Sequence, residues 1–281
     1  MTKNTLKHLI KSIFALFLLV IIFLCLPLTA NAESTGVVIK EKIATKPLNF
    51  ISHRGYSIIA PENTIPAFEQ SKEMGYKFVE ADISFTKDNI PVLLHDNTIS
   101  RTSNGTGKIS DLTYKQLLKY DFGSWKSSDY KGLKITTFEE FISLCKDLDL
   151  WPYIELKTNG KYTEEQIKIL LDIVSEYEIE NKITYISFSA KFLEMIKEQN
   201  DSARLGYLVR DVSHETIKTI NNLQTEYNNV FVDVKYQSLS ASKIKLCKEN
   251  NIPLEVWTIN SEKEVNNLDK YISGITTDKL I

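Results

Sequence analysis

The stretch NFISHRG, Asn49 to Gly55, decides the fold. Phe50 and Ile51 read as a buried strand that runs straight into a histidine, an arginine and a glycine able to turn the backbone. A strand that ends in ionisable side chains marks the mouth of an α/β fold, where such proteins keep their sites. Outward from it, strand signals recur at 78–83, 151–157, 183–188, 203–209, 230–234, 254–258 and 273–277, which with 50–53 makes eight. Helical periodicity fills the gaps at 64–74, 137–147, 163–177, 190–199, 213–223, 240–250 and 261–269. Strict alternation at short spacing predicts βα units around a parallel sheet, and eight of them over 49–281 predict one (β/α)8 TIM-barrel domain. A doubly wound sheet competes, but no glycine-rich phosphate loop follows the first strand.

Two departures from the alternation are expected. Between the second and third barrel strands, 86–136 holds PVLLH, a short extra strand, then a Gly/Ser/Asn/Thr-rich run and YKQLLKYDFGSW, which predicts a short helix and an aromatic rim. This excursion is expected at the barrel mouth, bringing His95 over the site. Past the eighth strand the sequence stops at Ile281, which predicts a short or missing last helix and an arm over 36–48 covering part of the gap.

The N-terminus reads as a targeting segment. Lys3, Lys7 and Lys11 precede an almost unbroken apolar run at 13–26, and Ala30-Asn31-Ala32 offers a processing site, so 1–32 is read as a signal peptide and 33–48 as a linker or arm. The run is short for a membrane span of about 20 residues. The expected location is therefore secreted or extracytoplasmic without stable membrane insertion, the alternative being an uncleaved anchor. Removing 1–32 leaves 31 basic residues against 36 acidic and moves the formal charge from −2 to about −5. That balance argues against nucleic acid or an anionic surface as the partner, since both would need a basic face. Cys145 and Cys247 fall in amphipathic helical patterns as buried thiols on opposite sides of the barrel, too far apart for a disulfide.

Alternate residues of a strand share a face, so Glu80 and Asp82 point one way and Val79, Ala81 and Ile83 the other. Tyr153, Glu155 and Lys157 likewise oppose Ile154 and Leu156. Three carboxylates thus converge on the mouth, and burying them together is costly without a cation among them. Oxygen ligands suit one hard divalent ion, Mg²⁺ or Ca²⁺. The competing reading, a surface acid cluster, fits poorly with acids that alternate with apolar residues.

The segments NFISHRG, PENT (61–64), VEADI (79–83), PVLLHD (91–96), YIELK (153–157), WTIN (257–260) and GITTD (274–278) together resemble the glycerophosphodiester phosphodiesterase family, a phospholipase-C-like barrel. The resemblance implies Glu80, Asp82 and Glu155 as metal ligands, His53 and His95 as the acid–base pair, and Arg54 and Lys157 as phosphate contacts. It implies cleavage of a small glycerophosphodiester to sn-glycerol 3-phosphate and an alcohol, with a hydroxyl of the glycerol attacking phosphorus first. Two histidines and a divalent ion suit that chemistry, one imidazole taking a proton and the other giving one. Arg54 and Lys157 could equally pair with the neighbouring acids. Trp257 shares the inward face of Glu255 as an apolar wall for the substrate, or as plain barrel packing. Glu62 of PENT stays outside the catalytic set, and His214, after Ser213 at a helix start, reads as solvated or part of a cap.

A glycerophosphate polymer is a further candidate substrate. A related phospholipase acting on lysolipids or inositol lipids is the alternative; the acid triplet speaks against the inositol-lipid enzymes. From a different class comes a non-catalytic secreted binding protein on the same barrel, for which a missing ligand or histidine would be the mark, and none is missing. No long apolar loop suggests membrane docking.

Overall fold

The structure is a computed structural model that describes residues 48–157, 162–227 and 229–281. Eight parallel strands close into a barrel: β1 (Asn49–Ser52), β2 (Phe78–Phe85), β4 (Trp151–Leu156), β5 (Thr184–Ser187), β6 (Arg204–Val209), β7 (Val230–Lys235), β8 (Leu254–Trp257) and β9 (Ile272–Thr277). Closure comes from β1, which pairs in parallel with both β2 and β9. β3 (Pro91–Leu93) lies antiparallel on β2. The expected strands are therefore all present, shifted by a residue or two at their ends.

Helices α1 (Ile65–Glu73), α3 (Phe138–Asp147), α4 (Glu164–Glu176), α5 (Ala190–Gln199), α6 (His214–Leu223), α7 (Ala241–Glu249) and α8 (Glu262–Asn266) alternate with the barrel strands, and α2 (Tyr114–Leu117) belongs to the excursion. Helix α3 shows why they form. Phe138, Phe141, Ile142 and Cys145 recur at helical spacing and are buried, while Thr137 and Glu140 close a capping box at its start. Helix α8 ends earlier than its pattern suggested, capped by Asn267 within the run Asn266-Asn267.

Two cores follow from the strand alternation. Outward residues such as Val79, Ala81 and Ile154 pack with the helices, whereas Ile51, Tyr153, Ile186, Leu208 and Phe231 fill the barrel interior. The excursion carries its own small core of Val92, Leu94, Ile99, Ile109, Leu117, Phe122 and Ile135. That core makes it a rigid platform for His95. Its aromatic rim is split: Phe122 is buried and Trp125 is 38% exposed.

Cys145 and Cys247 sit on α3 and α7, both buried and both free. After β9, Leu280 and Ile281 pack partly against the core, as does Leu48 before β1. The expected signal segment 1–32 and arm residues 33–47 lie outside the described residues. No helix among the described residues is long and apolar enough to cross a membrane. Two large apolar side chains, Ile58 and Ile59, stand about half exposed in the loop after β1.

Candidate active site

Register builds the acid cluster. Asp82 on β2 pairs directly with Glu155 on β4, so both inward carboxyls meet across neighbouring strands, and Glu80 lies two residues below Asp82. One carboxyl oxygen from each of the three lies within 4.8 Å of the others, and all three residues are buried. On the other side of β2, Ser52 pairs with Val79. The next residue, His53, is thereby set beside Glu80, with its Nε2 3.9 Å from Glu80 Oε2.

The turn after β1 is specialised. Arg54 adopts φ 57° and Gly55 φ 77°. A Cβ on Gly55 would lie 2.7 Å from the Cβ and carbonyl carbon of Ala67, so only glycine lets α1 approach this closely. In that turn the Arg54 backbone N–H donates to Glu80 Oε2 at 2.9 Å. Its guanidinium reaches Asp82 Oδ2 at 3.1 Å and Glu62 Oε1 at 2.9 Å. Asn63, also left-handed, clasps Asp82 from below, donating its amide to Oδ2 and accepting the Asp82 N–H. Thr64 takes the N-cap position of α1, but its hydroxyl turns back to the Pro61 carbonyl instead of capping.

Lys157 completes the charge balance, 2.8 Å from Glu155 Oε1 and 3.3 Å from Asp82 Oδ1. Both cations expected to hold phosphate thus pair with the acids. Burial, then the charges of Asp82 and Glu155, push the Glu80 carboxyl well above its ordinary value. Burial and Asp82 also raise Glu155. For Asp82 burial works the same way, yet Arg54 and Lys157 outweigh it and hold the group well below the usual carboxylate range. Glu80 Oε1 has no hydrogen-bond partner, and Asp82 Oδ1 and Glu155 Oε1 are met only by ion pairing. Three buried carboxyls brought within 4.8 Å of one another, each with an oxygen that lacks a hydrogen-bond partner, are a donor set that fits a hard divalent cation.

Both predicted histidines are oriented by an aspartate. His53 Nδ1 lies 2.6 Å from Asp278 Oδ1, and Asp278 is in turn held by Asn260 at 2.6 Å. His95 Nδ1 lies 2.7 Å from Asp96 Oδ1. Hydrogen bonds from Arg101, and then from His95, hold the Asp96 carboxyl down to about 2 in spite of burial. Burial opposes ionisation of Asp278 too, but His53 keeps it below its ordinary value. An ionised carboxylate only accepts, so each Nδ1 carries the proton and each Nε2 is the nitrogen left for proton transfer. For His95, burial, with help from Arg54 and Lys157, lowers the imidazole below 6.5 against the pull of Asp82 and Asp96.

These side chains open into a cleft of about 780 Å³ lined by both histidines, Arg54, Glu80, Glu155, Lys157 and, opposite them, Ile186, Phe188, Leu208 and Trp257. Trp257 is a cleft wall, edge-on to Phe188 at 5.6 Å. His214 is exposed at the start of α6, away from the cleft, beneath a Ser213 cap. The sequence reading gave no site role to Asp96, Arg101, Asn260 or Asp278, and read Asn63 only as part of a turn and helix cap. Glu62, set aside there, bridges Arg54 to Arg101.

A parallel eight-stranded barrel whose C-terminal mouth gathers a carboxyl triad, two aspartate-held histidines and two cations defines the class of (β/α)8 hydrolases acting on a phosphoryl group. Comparison with known proteins gives the family. Residues 53–281 match the Glycerophosphoryl diester phosphodiesterase family, so the chain belongs to that family and is an enzyme of that activity. It is 29% identical to a glycerophosphodiester phosphodiesterase of Caldanaerobacter subterraneus subsp. tengcongensis over 81% of this chain and 93% of that one. A glycerophosphodiester phosphodiesterase of Bacillus subtilis is 25% identical over 97% and 95% of the two chains. Among solved structures, an Oleispira antarctica phosphodiesterase in complex with the product sn-glycerol-3-phosphate superposes with a TM-score of 0.75, at 24% identity over 84% of this chain and 94% of that one.

Proposed function

We propose that the enzyme hydrolyses small glycerophosphodiesters to sn-glycerol 3-phosphate and an alcohol, outside the cytoplasm, with a divalent cation held by Glu80, Asp82 and Glu155 and with His53 and His95 as the acid–base pair. One observation carries the reading: the triad and both histidines, each imidazole with its Nδ1 fixed by an aspartate, line or adjoin one cleft. A Ca²⁺ or Mg²⁺ ion at the triad would supply Lewis-acid stabilisation of the phosphoryl oxygens. Once an ion engages the acids, Arg54 and Lys157 are the cations placed to hold those oxygens. One imidazole takes the proton of the glycerol hydroxyl next to the phosphorylated carbon, and that oxygen bonds to phosphorus. The bond to the leaving alcohol breaks as the second imidazole protonates it. Water then opens the five-membered cyclic phosphate with the two roles reversed, leaving sn-glycerol 3-phosphate.

The product bound by the Oleispira protein supports a glycerol phosphate in this cleft. The apolar run at 13–26 and Ala30-Asn31-Ala32 support export, with an uncleaved anchor as the other outcome. Purified protein should be assayed with glycerophosphocholine, lysophosphatidylcholine, phosphatidylinositol and a poly(glycerophosphate), each with Mg²⁺, Ca²⁺ or chelator. Glycerophosphocholine should be cleaved, chelation should abolish turnover, and a divalent ion should restore it. A rate indifferent to chelator overturns the metal reading; turnover of the polymer alone would move the substrate to the cell envelope.

A further inference from the structure

Asp233 is a carboxyl without an assigned task. It lies on β7, between Leu208 of β6 and Glu255 of β8 in register, on the inward face above Phe231. It is 2% exposed, and it lines the active-site cleft. Its neighbour Glu255 is anchored structurally: Arg204 reaches it at 2.7 Å and the Tyr153 hydroxyl at 3.3 Å. Asp233 receives neither, and its Oδ1 is buried with no hydrogen-bond partner. Among the described residues, the other cleft-lining side-chain atoms in that condition belong to Arg54, Glu80 and Glu155, which form the cation and phosphoryl constellation. An orphaned buried acceptor elsewhere in the same cleft is expensive to keep unless a bound molecule completes it.

The surroundings say what kind of molecule that is. Asp233 is grouped in the cleft with Ile186, Leu208 and Trp257, and the Trp257 indole N–H is fixed 3.2 Å from the Asp233 carbonyl. The lining of that cleft is mixed: these apolar side chains, the polar Arg210, Thr258 and Thr276, and the Asp233 carboxyl on the inward face of β7. Burial, then the charges of Glu255 and Glu155, raise this carboxyl well above its ordinary value, and in either protonation state it keeps an oxygen able to accept a hydrogen bond from a hydroxyl. A glycerol unit esterified at one end has two free hydroxyls. The reaction uses the one next to the phosphorylated carbon, and the other must leave water on entering the cleft.

We propose that Asp233 is the floor of the glycerol subsite, where its carboxyl hydrogen-bonds the substrate hydroxyl that does not attack phosphorus and so selects glycerol over a singly hydroxylated three-carbon unit. The inference rests on the glycerophosphodiesterase reading and adds the residue that enforces its substrate class.

The test compares glycerophosphocholine with 2-hydroxypropyl phosphocholine, which keeps the attacking hydroxyl and lacks the other. Wild type should prefer the glycerol diester in kcat/KM by about 10- to 100-fold, the discrimination a lost hydrogen bond to a buried site group produces. Asp233→Ala should bring the ratio to within about threefold of unity, and the isosteric Asp233→Asn, which can still donate and accept, should keep it above about tenfold. A turnover-independent readout is competitive inhibition by sn-glycerol 3-phosphate against 2-hydroxypropyl phosphate, where wild type should show the same preference and Asp233→Ala should lose it. Equal handling of the two diesters by wild type, or an unchanged ratio in Asp233→Ala, overturns the proposal and leaves the glycerophosphodiesterase reading standing. Should Asp233→Ala fail to fold, wild-type discrimination and Asp233→Asn still decide. Wild type that cleaves neither diester would instead remove the reading itself, and this inference with it.

Discussion

Withdrawing divalent ions should make the stability of this enzyme fall as pH rises, and returning them should cancel the fall. Burial, then neighbouring carboxylates, raise Glu80 well above 4.5, and Glu155 is raised in the same sense. A carboxyl raised in the folded state binds its proton more tightly there than in the unfolded chain. Its stabilising contribution is fully present below about 4.5 and is lost as pH climbs through the folded value. Asp82, held well below the usual carboxylate range by Arg54 and Lys157, changes protonation only at more acid pH and does not enter this window. Each raised group costs up to about 1.4 kcal/mol per pH unit. For a barrel of this size, 1 kcal/mol moves Tm by about 2–4 °C. Chelated enzyme should therefore lose roughly 3–6 °C per pH unit above pH 5 for each group still titrating. A cation among the three carboxyls favours their ionised forms, so saturating Mg²⁺ or Ca²⁺ should flatten the slope and, at 100 times Kd, add about 2.7 kcal/mol. Scanning calorimetry from pH 5 to 8, with ion and with chelator, measures both quantities, and Glu80→Gln supplies the reference for all other groups. Parallel curves with and without ion, or the wild-type chelator slope persisting in Glu80→Gln, would refute the reasoning.

Further outcomes are expected. His53→Ala and His95→Ala should each lower kcat by about 10²- to 10⁴-fold, the double change by much less than the product, while His214→Ala stays near wild type in a steady-state assay. Glu155→Gln keeps shape but removes a ligand charge, so the ion concentration for half-maximal rate should rise several-fold in a metal titration. Gly55→Ala places a methyl 2.7 Å from Ala67 at a positive φ and should cost roughly 2–4 kcal/mol in denaturant unfolding, through strain and overpacking together. Protein lacking 1–32 should show two thiols on denaturation and almost none in the native state, since Cys145 and Cys247 are free and buried; a value of zero after denaturation would contradict the helix assignment of either cysteine.

How far the sequence could be read depends on the range of the interaction. Strand and helix periodicities are local, so barrel strands and ring helices are placed to within a few residues. The triad was legible for the same reason: Glu80 and Asp82 differ by one strand period, and so do Glu155 and Lys157. What orients the histidines was not legible. Asp278 meets His53 across 225 residues, and nothing in GITTD says which carboxyl oxygen will face which ring nitrogen. The excursion hid its core because Val92, Ile99, Ile109, Phe122 and Ile135 follow no period; they meet only when the loop folds on itself. Asp233 did leave a signal, a carboxyl on the inward face of the otherwise apolar VFVDV, but inward face alone does not separate an anchored acid such as Glu255 from an orphaned one.

The charge web at the mouth has to be weighed by position and not by energy. Arg54, Glu62, Arg101 and Asp96 alternate in sign across two separate loops, the turn after β1 and the excursion, and Asp96 ends the series on the His95 ring. Arg101 is 44% exposed, and pairs that open to water are worth about 0–1 kcal/mol each, too little to hold the whole excursion in place. The core of Val92, Leu94 and Phe122 does that. What the pairs fix is a protonation pattern. Arg101 keeps Asp96 ionised, an ionised Asp96 accepts only, and His95 must then present Nε2 as its titrating nitrogen. Glu62 ties the same arginine to Arg54, whose backbone N–H and guanidinium hold Glu80 and Asp82. The histidine on the excursion is thereby held in register with the carboxyls on β2 through two arginines, while the cleft between them stays open for a diester.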